Sequence, residues 1–246
     1  MKFTAEYHIS SHEFAHNNRV RPSAVLRYMM ETANRNMFVQ KPSYGDLLER
    51  GYAFLVSRTH LIIHEELRAY DTVTVETWAV PEKGASFDRC YRLLRGDTVV
   101  AEGYSVFGLL NVNTKKLCRA GDVELEYFTD EPLGISTRFR LPDVALHTVG
   151  EREIRYTDVD CNGHMNNTNY PDMLCDFIPD IDAVRVTDVQ IQYVAEAPLG
   201  ERLTVKCGAV REGDKTVYAF ETERADSSVN VRALIETVPA ASACSF

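Results

Sequence analysis

The sequence predicts a duplicated α+β fold, in which a short strand, a helix and a series of further strands occur twice. Two amphipathic helices are expected, one starting near Pro22 and one near Asn167. An alternating apolar–polar run precedes each helix, and four β-rich runs follow it. The repeats align at two offsets: 145 residues places Ile9 on Ile154, and 130 residues places Glu66 on Glu196.

The first repeat opens with the strand-like run "EYHISSHEF" and continues into a helix from about Pro22 to Gln40. Proline suits the first helical turn because its missing N–H would be unpaired there. One apolar stripe runs along this helix at helical spacing: Leu26, Met29, Met30, Ala33 and Met37. The segment "PSYGDLLERGYAF" then predicts a short extra helix and loop, which accounts for the difference between the two offsets. The strands that follow are "FLVSRTHLII", "DTVTVETWAV", "SFDRCYRLLRG" and "TVVAEGYSVFGLLNV".

The second repeat begins with "REIRYTDVD" and continues into a helix from about Asn167 to Phe177, which Pro179 ends. Its strands are "AVRVTDVQIQYV", "ERLTVKCGAV", "KTVYAFETERA" and "VNVRALIETV". The predicted organisation is therefore a first half over residues 1–120, an acidic connector over 121–150 and a second half over 151–246. Two unrelated α+β domains are the alternative, because few residues are identical between the repeats.

Composition narrows the classes of function. The chain has 246 residues, is 45% hydrophobic and carries a formal charge of −9, which argues against nucleic acid as the main partner. No apolar run approaches the roughly 18 residues of a membrane span, and the opening "MKFTAEYHIS" lacks the pattern of an export signal. Six separated cysteines without a CxxC pair indicate reduced, mostly buried thiols and no zinc site of the paired-cysteine type. We therefore expect a cytoplasmic protein.

The stretch "DVDCNGHMNN", Asp158 to Asn167, is the best candidate for chemistry. Asp160, Asn162 and His164 alternate along a chain that approaches a helix N-terminus, where backbone amides could stabilise an oxyanion. The 145-residue offset places Asp160 on Ala15 and His164 on Arg19, so the acid and the imidazole occur in the second repeat only. This difference favours a single active site in the second half. A solvated or capped turn, or a metal site using Asp158, Asp160 and His164, are the alternatives; Cys161 is expected to be a small apolar filler.

The chain resembles the acyl-acyl carrier protein thioesterases. "DCNGHMNNTNY" matches that family's Asp-x-Asn-x-His-x-Asn-Asn-x-x-Tyr signature, and "IQYVAEAPLGERLTV" is similar to its second catalytic segment. The resemblance implies a double hotdog fold, with a long helix wrapped by an antiparallel sheet in each half. It also implies cofactor-free hydrolysis of fatty acyl thioesters on acyl carrier protein, which ends fatty acid biosynthesis. The catalytic residues that it implies are Asp160, Asn162, His164 and Glu196. Plant members often have a cysteine where this chain has Ala197, so a cysteine mechanism has no support there.

Other expectations concern the substrate. Met29, Met30 and Met37 are candidates for lining an acyl pocket, with ordinary core packing as the alternative. Arg19 and Arg21 are the first candidates for docking the acidic carrier protein, ahead of Lys115, Lys116 and Arg119 and of Arg138 and Arg140. A monomeric pseudo-dimer or a homodimer is expected. Two other functions stay open: an acyl-CoA thioesterase, or a hotdog protein that binds acyl groups without catalysis.

Overall fold

The computed structural model describes residues 2–124 and 127–240. Within them the chain forms two compact units, one from residues 2–13, 25–124 and 127–137, the other from residues 14–24 and 138–240. We call these unit 1 and unit 2.

Unit 1 is an antiparallel sheet with two helices. Its strands follow one another in the sheet in the order β1-β3-β4-β5-β2, with the short β6 paired to β5. The helices are α1 (Pro22–Val39), whose first three residues count with unit 2, and α2 (Tyr44–Glu49). The strands are β1 (Phe3–His8), β2 (Tyr52–Ile63), β3 (Thr72–Ala79), β4 (Ser86–Arg95), β5 (Thr98–Asn111) and β6 (Lys116–Cys118).

Unit 2 contains five antiparallel strands and one short helix, α3 (Tyr170–Cys175). Its strands follow one another in the order β7-β9-β10-β11-β8. They are β7 (His147–Glu153), β8 (Val184–Tyr193), β9 (Arg202–Glu212), β10 (Lys215–Glu223) and β11 (Val229–Pro239). The strands of unit 1, without β6, follow one another in the same order.

Equivalent backbone hydrogen bonds confirm the duplication at both predicted offsets. In the first repeat, Ile9 donates to the carbonyl of Asp71, and Tyr70 donates to the carbonyl of Ile9, each at 2.9 Å. In the second, Ile154 donates to Glu201 and Gly200 donates to Ile154, each at 2.8 Å. Tyr70 and Gly200 also share a positive φ, of 68° and 84°. The pairs differ by 145 and 130 residues, as the sequence predicted.

Helix α1 ends within a residue of its predicted bounds and packs its apolar stripe on the sheet of unit 1. Met29 is buried, and its Sδ lies 2.7 Å from where a Cβ on Gly103 of β5 would be. The extra helix predicted in "PSYGDLLERGYAF" is α2, which a capping box between Ser43 and Asp46 starts.

The helix of the second repeat is shorter than the long helix expected from the sequence. Asn166 caps a 3₁₀ turn over residues 167–169, and the α-helical part has six residues. Pro171 stands in the first α-helical turn, where it suits a helix start, so the regular helix begins later than Asn167. Pro179 follows shortly after its end.

The predicted connector divides between the units. Its first part stays on unit 1, where Trp78 Nε1 donates to the carbonyl of Glu131 and Arg58 to that of Thr137. Its last residues begin β7. The bounds 1–120, 121–150 and 151–246 describe the sequence repeat and stay a prediction. No helix among the described residues has the length and apolarity needed to cross a membrane.

Candidate active site

The polar stretch forms a tight hairpin, which we call the site hairpin (Asp158–Asn166). Val159 and Met165 form an antiparallel bridge, and the amide of Asp160 donates to the carbonyl of His164 at 3.1 Å. Gly163 turns the chain with a φ of +82°, a conformation that glycine adopts without strain. Asp160 Oδ1 accepts a hydrogen bond from the amide of Asn162 at 2.8 Å, which fixes the carboxylate within the turn.

The segment after β8 brings Glu196 beside this hairpin. His164 and Pro198 form a bridge, and the amide of Met165 donates to the carbonyl of Ala197 at 2.8 Å. Glu196 Oε2 then lies 3.5 Å from His164 Nε2. The His164 side chain is 29% exposed and that of Glu196 64% exposed, so solvent reaches both.

The structure thus brings Asp160, Asn162 and His164 together with Glu196 in unit 2. A carboxylate beside an imidazole can orient the ring and stabilise its protonated form. The pair of His164 and Glu196 is suited to proton transfer. Asp160, in the site hairpin, supplies a second carboxylate.

Asp158, the first residue of the site hairpin, stabilises it through an ion pair and hydrogen bonds. Sequence reasoning missed this role. Both of its carboxylate oxygens accept from Arg152 Nη2, at 2.8 and 2.9 Å, and one also accepts from the amide of Arg155. Its carbonyl accepts from the amide of Asn166. Asp158 is therefore a buried structural ion-pair partner rather than a metal ligand. No group of three metal-binding side chains occurs among the described residues.

The sequence suggested that backbone amides at the start of this helix could stabilise an oxyanion. The helix start offers fewer such amides than expected. The side chain of Asn166 accepts from both the amide and the hydroxyl of Thr168, and the amide of Asn169 donates to the carbonyl of Asn166. Two of the first-turn donors are thus already bonded within the cap. The six-residue helix gives no support to an oxyanion site made from these two amides.

The cysteines divide by exposure. Cys161 is exposed on the site hairpin, so the expectation that it fills an apolar space was wrong. Cys90 and Cys207 are buried, and burial raises the pKa of each thiol to about 11. Burial, with Asp172 and Asp176 nearby, also raises the pKa of Cys175. All five described cysteines are free thiols, and Cys244 lies outside the described residues.

The predicted substrate residues take part in other contacts. Met29 packs against β5, while Met30 and Met37 are half-buried, and Tyr91 of β4 donates to Met30 Sδ at 3.6 Å. Arg19 donates from Nη1 to the carbonyl of Asp182 in unit 2. Their roles in binding an acyl chain or a carrier protein stay predictions.

Models of one family match both parts of the chain. The acyl-ACP thioesterase N-terminal domain matches residues 1–127, and the acyl-ACP thioesterase C-terminal domain matches residues 144–237. A chloroplastic dodecanoyl-[acyl-carrier-protein] hydrolase from Cinnamomum camphora is 24% identical in an alignment over 234 residues, and the match covers 86% of this chain. The chain spans 61% of the length of that relative.

Solved structures show the same fold. An acyl-ACP thioesterase from Bacteroides thetaiotaomicron has a TM-score of 0.86 at 23% identity, over 96% of this chain and 97% of the other. The 12:0-ACP thioesterase from Umbellularia californica has a TM-score of 0.78 at 19% identity, over 97% and 98%. These likenesses confirm the predicted double hotdog class.

Proposed function

Because the chain belongs to the acyl-ACP thioesterase family, we propose that it hydrolyses fatty acyl thioesters on acyl carrier protein and releases the free fatty acid. The observation that carries this proposal is the contact between His164 and Glu196 beside the Asp160 turn. The named activity of the Cinnamomum camphora relative supports the same reaction.

We assign four residues to the reaction. A water molecule attacks the thioester carbonyl, the C–S bond breaks, and the carrier thiol leaves with a proton. Glu196 and Asp160 hold or deprotonate the water, and His164 polarises the carbonyl or passes the proton to the sulfur. Asn162, whose backbone N–H donates to Asp160 Oδ1, orients the acid or the substrate. An alternative order, in which Asp160 attacks first and water hydrolyses the resulting anhydride, uses the same groups.

The chemistry needs no cofactor, because the chain itself supplies acid, base and hydrogen-bond donors. We place the reaction at the termination of fatty acid synthesis and in the cytoplasm. The free thiols of the described residues support a reducing compartment.

The test is release of free fatty acid by the purified protein from matched acyl-ACP and acyl-CoA substrates of several chain lengths. We expect a higher kcat/KM on acyl-ACP and loss of turnover in Asp160→Asn. Equal use of both carriers would favour the acyl-CoA thioesterase. Binding of acyl-ACP without release would favour a non-catalytic acyl-binding protein.

A further inference from the structure

A fully buried amide, Asn230, lies next to the segment that carries Glu196. Thr222 of β10 pairs with Val231 and Glu223 pairs with Val229, so Asn230 is the extra residue of a β-bulge in β11. On its other side, the carbonyl of Asn230 accepts from the amides of Val194 and Ala195, at 2.9 and 3.0 Å. The pairing of β11 with β8 therefore ends at Tyr193, three residues before Glu196.

The Asn230 side chain is hydrogen-bonded at both ends. Its Oδ1 accepts from Thr222 Oγ1 at 3.0 Å. Its Nδ2 donates to the carbonyl of Ala195 and to the hydroxyl of Tyr170, the latter at 3.1 Å. Tyr170 opens α3, the helix that follows the site hairpin. The amide thus ties the residue before Glu196 to the element after His164.

Tyr170 is held on two further sides. Its ring packs edge-to-face on Tyr193 of β8 with centroids 5.8 Å apart, and the Tyr193 hydroxyl donates to the carbonyl of Asn167. Burial raises the pKa of Tyr170 to about 12, so the phenol that meets Asn230 is neutral. The anchor for the amide is therefore rigid and uncharged.

The first repeat has the same bulge without the amide. Leu93 pairs with Ala101 and Leu94 pairs with Val99, which leaves Val100 as the extra residue. The carbonyl of Val100 accepts from the amides of His64 and Glu65, at 2.9 and 3.2 Å, as that of Asn230 does from Val194 and Ala195.

The side chains at these two bulges differ in polarity. Leu93 and Val100 take the places of Thr222 and Asn230, and all four are fully buried. The backbone geometry therefore needs no amide, and burying one costs free energy unless every polar atom is bonded. The polar pair belongs to the repeat that carries the candidate site.

We propose that Asn230, oriented by Thr222, is a positioning residue that holds Glu196 at its distance from His164. This inference rests on the proposed thioesterase function. It predicts an effect on turnover rather than on substrate binding, because the amide fixes a reacting group and contacts no part of the substrate. A misplacement of about 1 Å can cost on the order of 100-fold in rate.

The experiment compares steady-state kinetics of wild type, Asn230→Val and Glu196→Ala on acyl-ACP. We expect Asn230→Val to lower kcat by about 10- to 100-fold with KM within about 2-fold of wild type. Val100→Ala, at the matching bulge, is the control: it should lower the melting temperature and leave kcat unchanged. A wild-type kcat in Asn230→Val would overturn the proposal.

A double-mutant cycle separates positioning from general damage. In the Glu196→Ala background, Asn230→Val should reduce the remaining activity by no more than about 2-fold, because the group it positions is gone. Losses that multiply in the double variant would make Asn230 merely structural and refute the inference. If Glu196→Ala itself retains wild-type turnover, the proposed function of the site fails instead.

Thr222→Val keeps the test decisive if Asn230→Val does not fold. It removes the hydroxyl that orients the amide and preserves side-chain volume. A kcat loss of about 3- to 10-fold, absent in the Glu196→Ala background, supports the proposal. An unchanged kcat in this variant counts against it.

Discussion

At the scale of single residues, the two repeats provide their own controls. The first repeat contains a hairpin with the same backbone bonds as the site hairpin. Phe14 bridges Val20, and the amide of Ala15 donates to the carbonyl of Arg19 at 2.9 Å. Asn18 has a φ of 60° where the site hairpin has Gly163. Ala15 thus stands where Asp160 does, and Arg19 where His164 does.

We predict that Asp160→Asn lowers kcat by about 100-fold or more, because acid–base assistance of this kind is worth about 10²- to 10⁴-fold. The asparagine can still accept from the amide of Asn162, so the turn is kept. Ala15→Asn places the same side chain in the first hairpin and should leave kcat unchanged. Similar losses in both variants, measured by fatty acid release, would refute a single site in the second repeat.

A second prediction concerns the support of the hairpin. Asp158→Ala should lower the free energy of unfolding by about 3 kcal/mol, because it leaves Arg152 without its buried partner. Glu153→Ala removes an exposed pair with Arg155 at 4.0 Å and should cost under about 0.5 kcal/mol. Denaturant unfolding of both variants measures the difference. Equal costs would mean that the buried ion pair does not stabilise the hairpin.

A third prediction concerns the thiols. Cys161→Ala and Cys175→Ala should each retain most of the wild-type kcat, since the contact between His164 and Glu196 involves neither cysteine. Cys161 is exposed and should react first with a thiol reagent in the folded protein. Inactivation of Cys161→Ala with an unchanged melting temperature would instead support a cysteine nucleophile.

At the scale of elements, the sequence predicted those parts that depend on nearby residues. The apolar stripe of α1, the short extra helix α2 and the polar residues of the site hairpin all lie within short segments. Sequence reasoning missed the roles of Asp158 and Asn230 because their partners are fixed by pairing across the sheet or by the turn geometry. The length of α3 was also overestimated, because residues 167–169 form a 3₁₀ turn that Asn166 caps and the α-helix ends at Cys175.

A close approach within unit 2 gives a prediction at this scale. A Cβ on Gly208 of β9 would lie 2.5 Å from the carbonyl oxygen of Ala145, a backbone atom that cannot move aside. Gly208→Ala should therefore destabilise the protein by about 1–3 kcal/mol. Gly134→Ala has open space around the new methyl group and should change stability little. Thermal unfolding of the two variants tests this, and equal melting temperatures would contradict it.

At the scale of the whole molecule, net charge limits how the proposed acidic carrier protein can be attracted. With a net charge of −9, long-range attraction must come from a local basic cluster. Arg19 already donates to the carbonyl of Asp182, so its replacement would also break a structural contact. Arg138 and Arg140 are exposed and belong to the unit that holds the candidate site, so this cluster is tested first.

We predict that reversing both charges, Arg138→Glu with Arg140→Glu, raises KM for acyl-ACP by about 10-fold and weakens its salt dependence, with kcat unchanged. Reversal of Lys115 and Lys116, which lie in the other unit, is the control. An acyl-CoA substrate should be insensitive to both changes. If acyl-ACP is equally insensitive, docking does not use this cluster.

The twin hairpins have a consequence for mutational tolerance. Two segments with the same backbone hydrogen bonds place the same demands on the main chain, so a difference in the residues that they accept comes from their side chains. In a saturation library selected for thioesterase activity, position 15 should accept many side chains, whereas positions 160 and 164 should accept almost none. The difference between the side chains accepted in the two hairpins would then show which constraints come from catalysis and which come from folding.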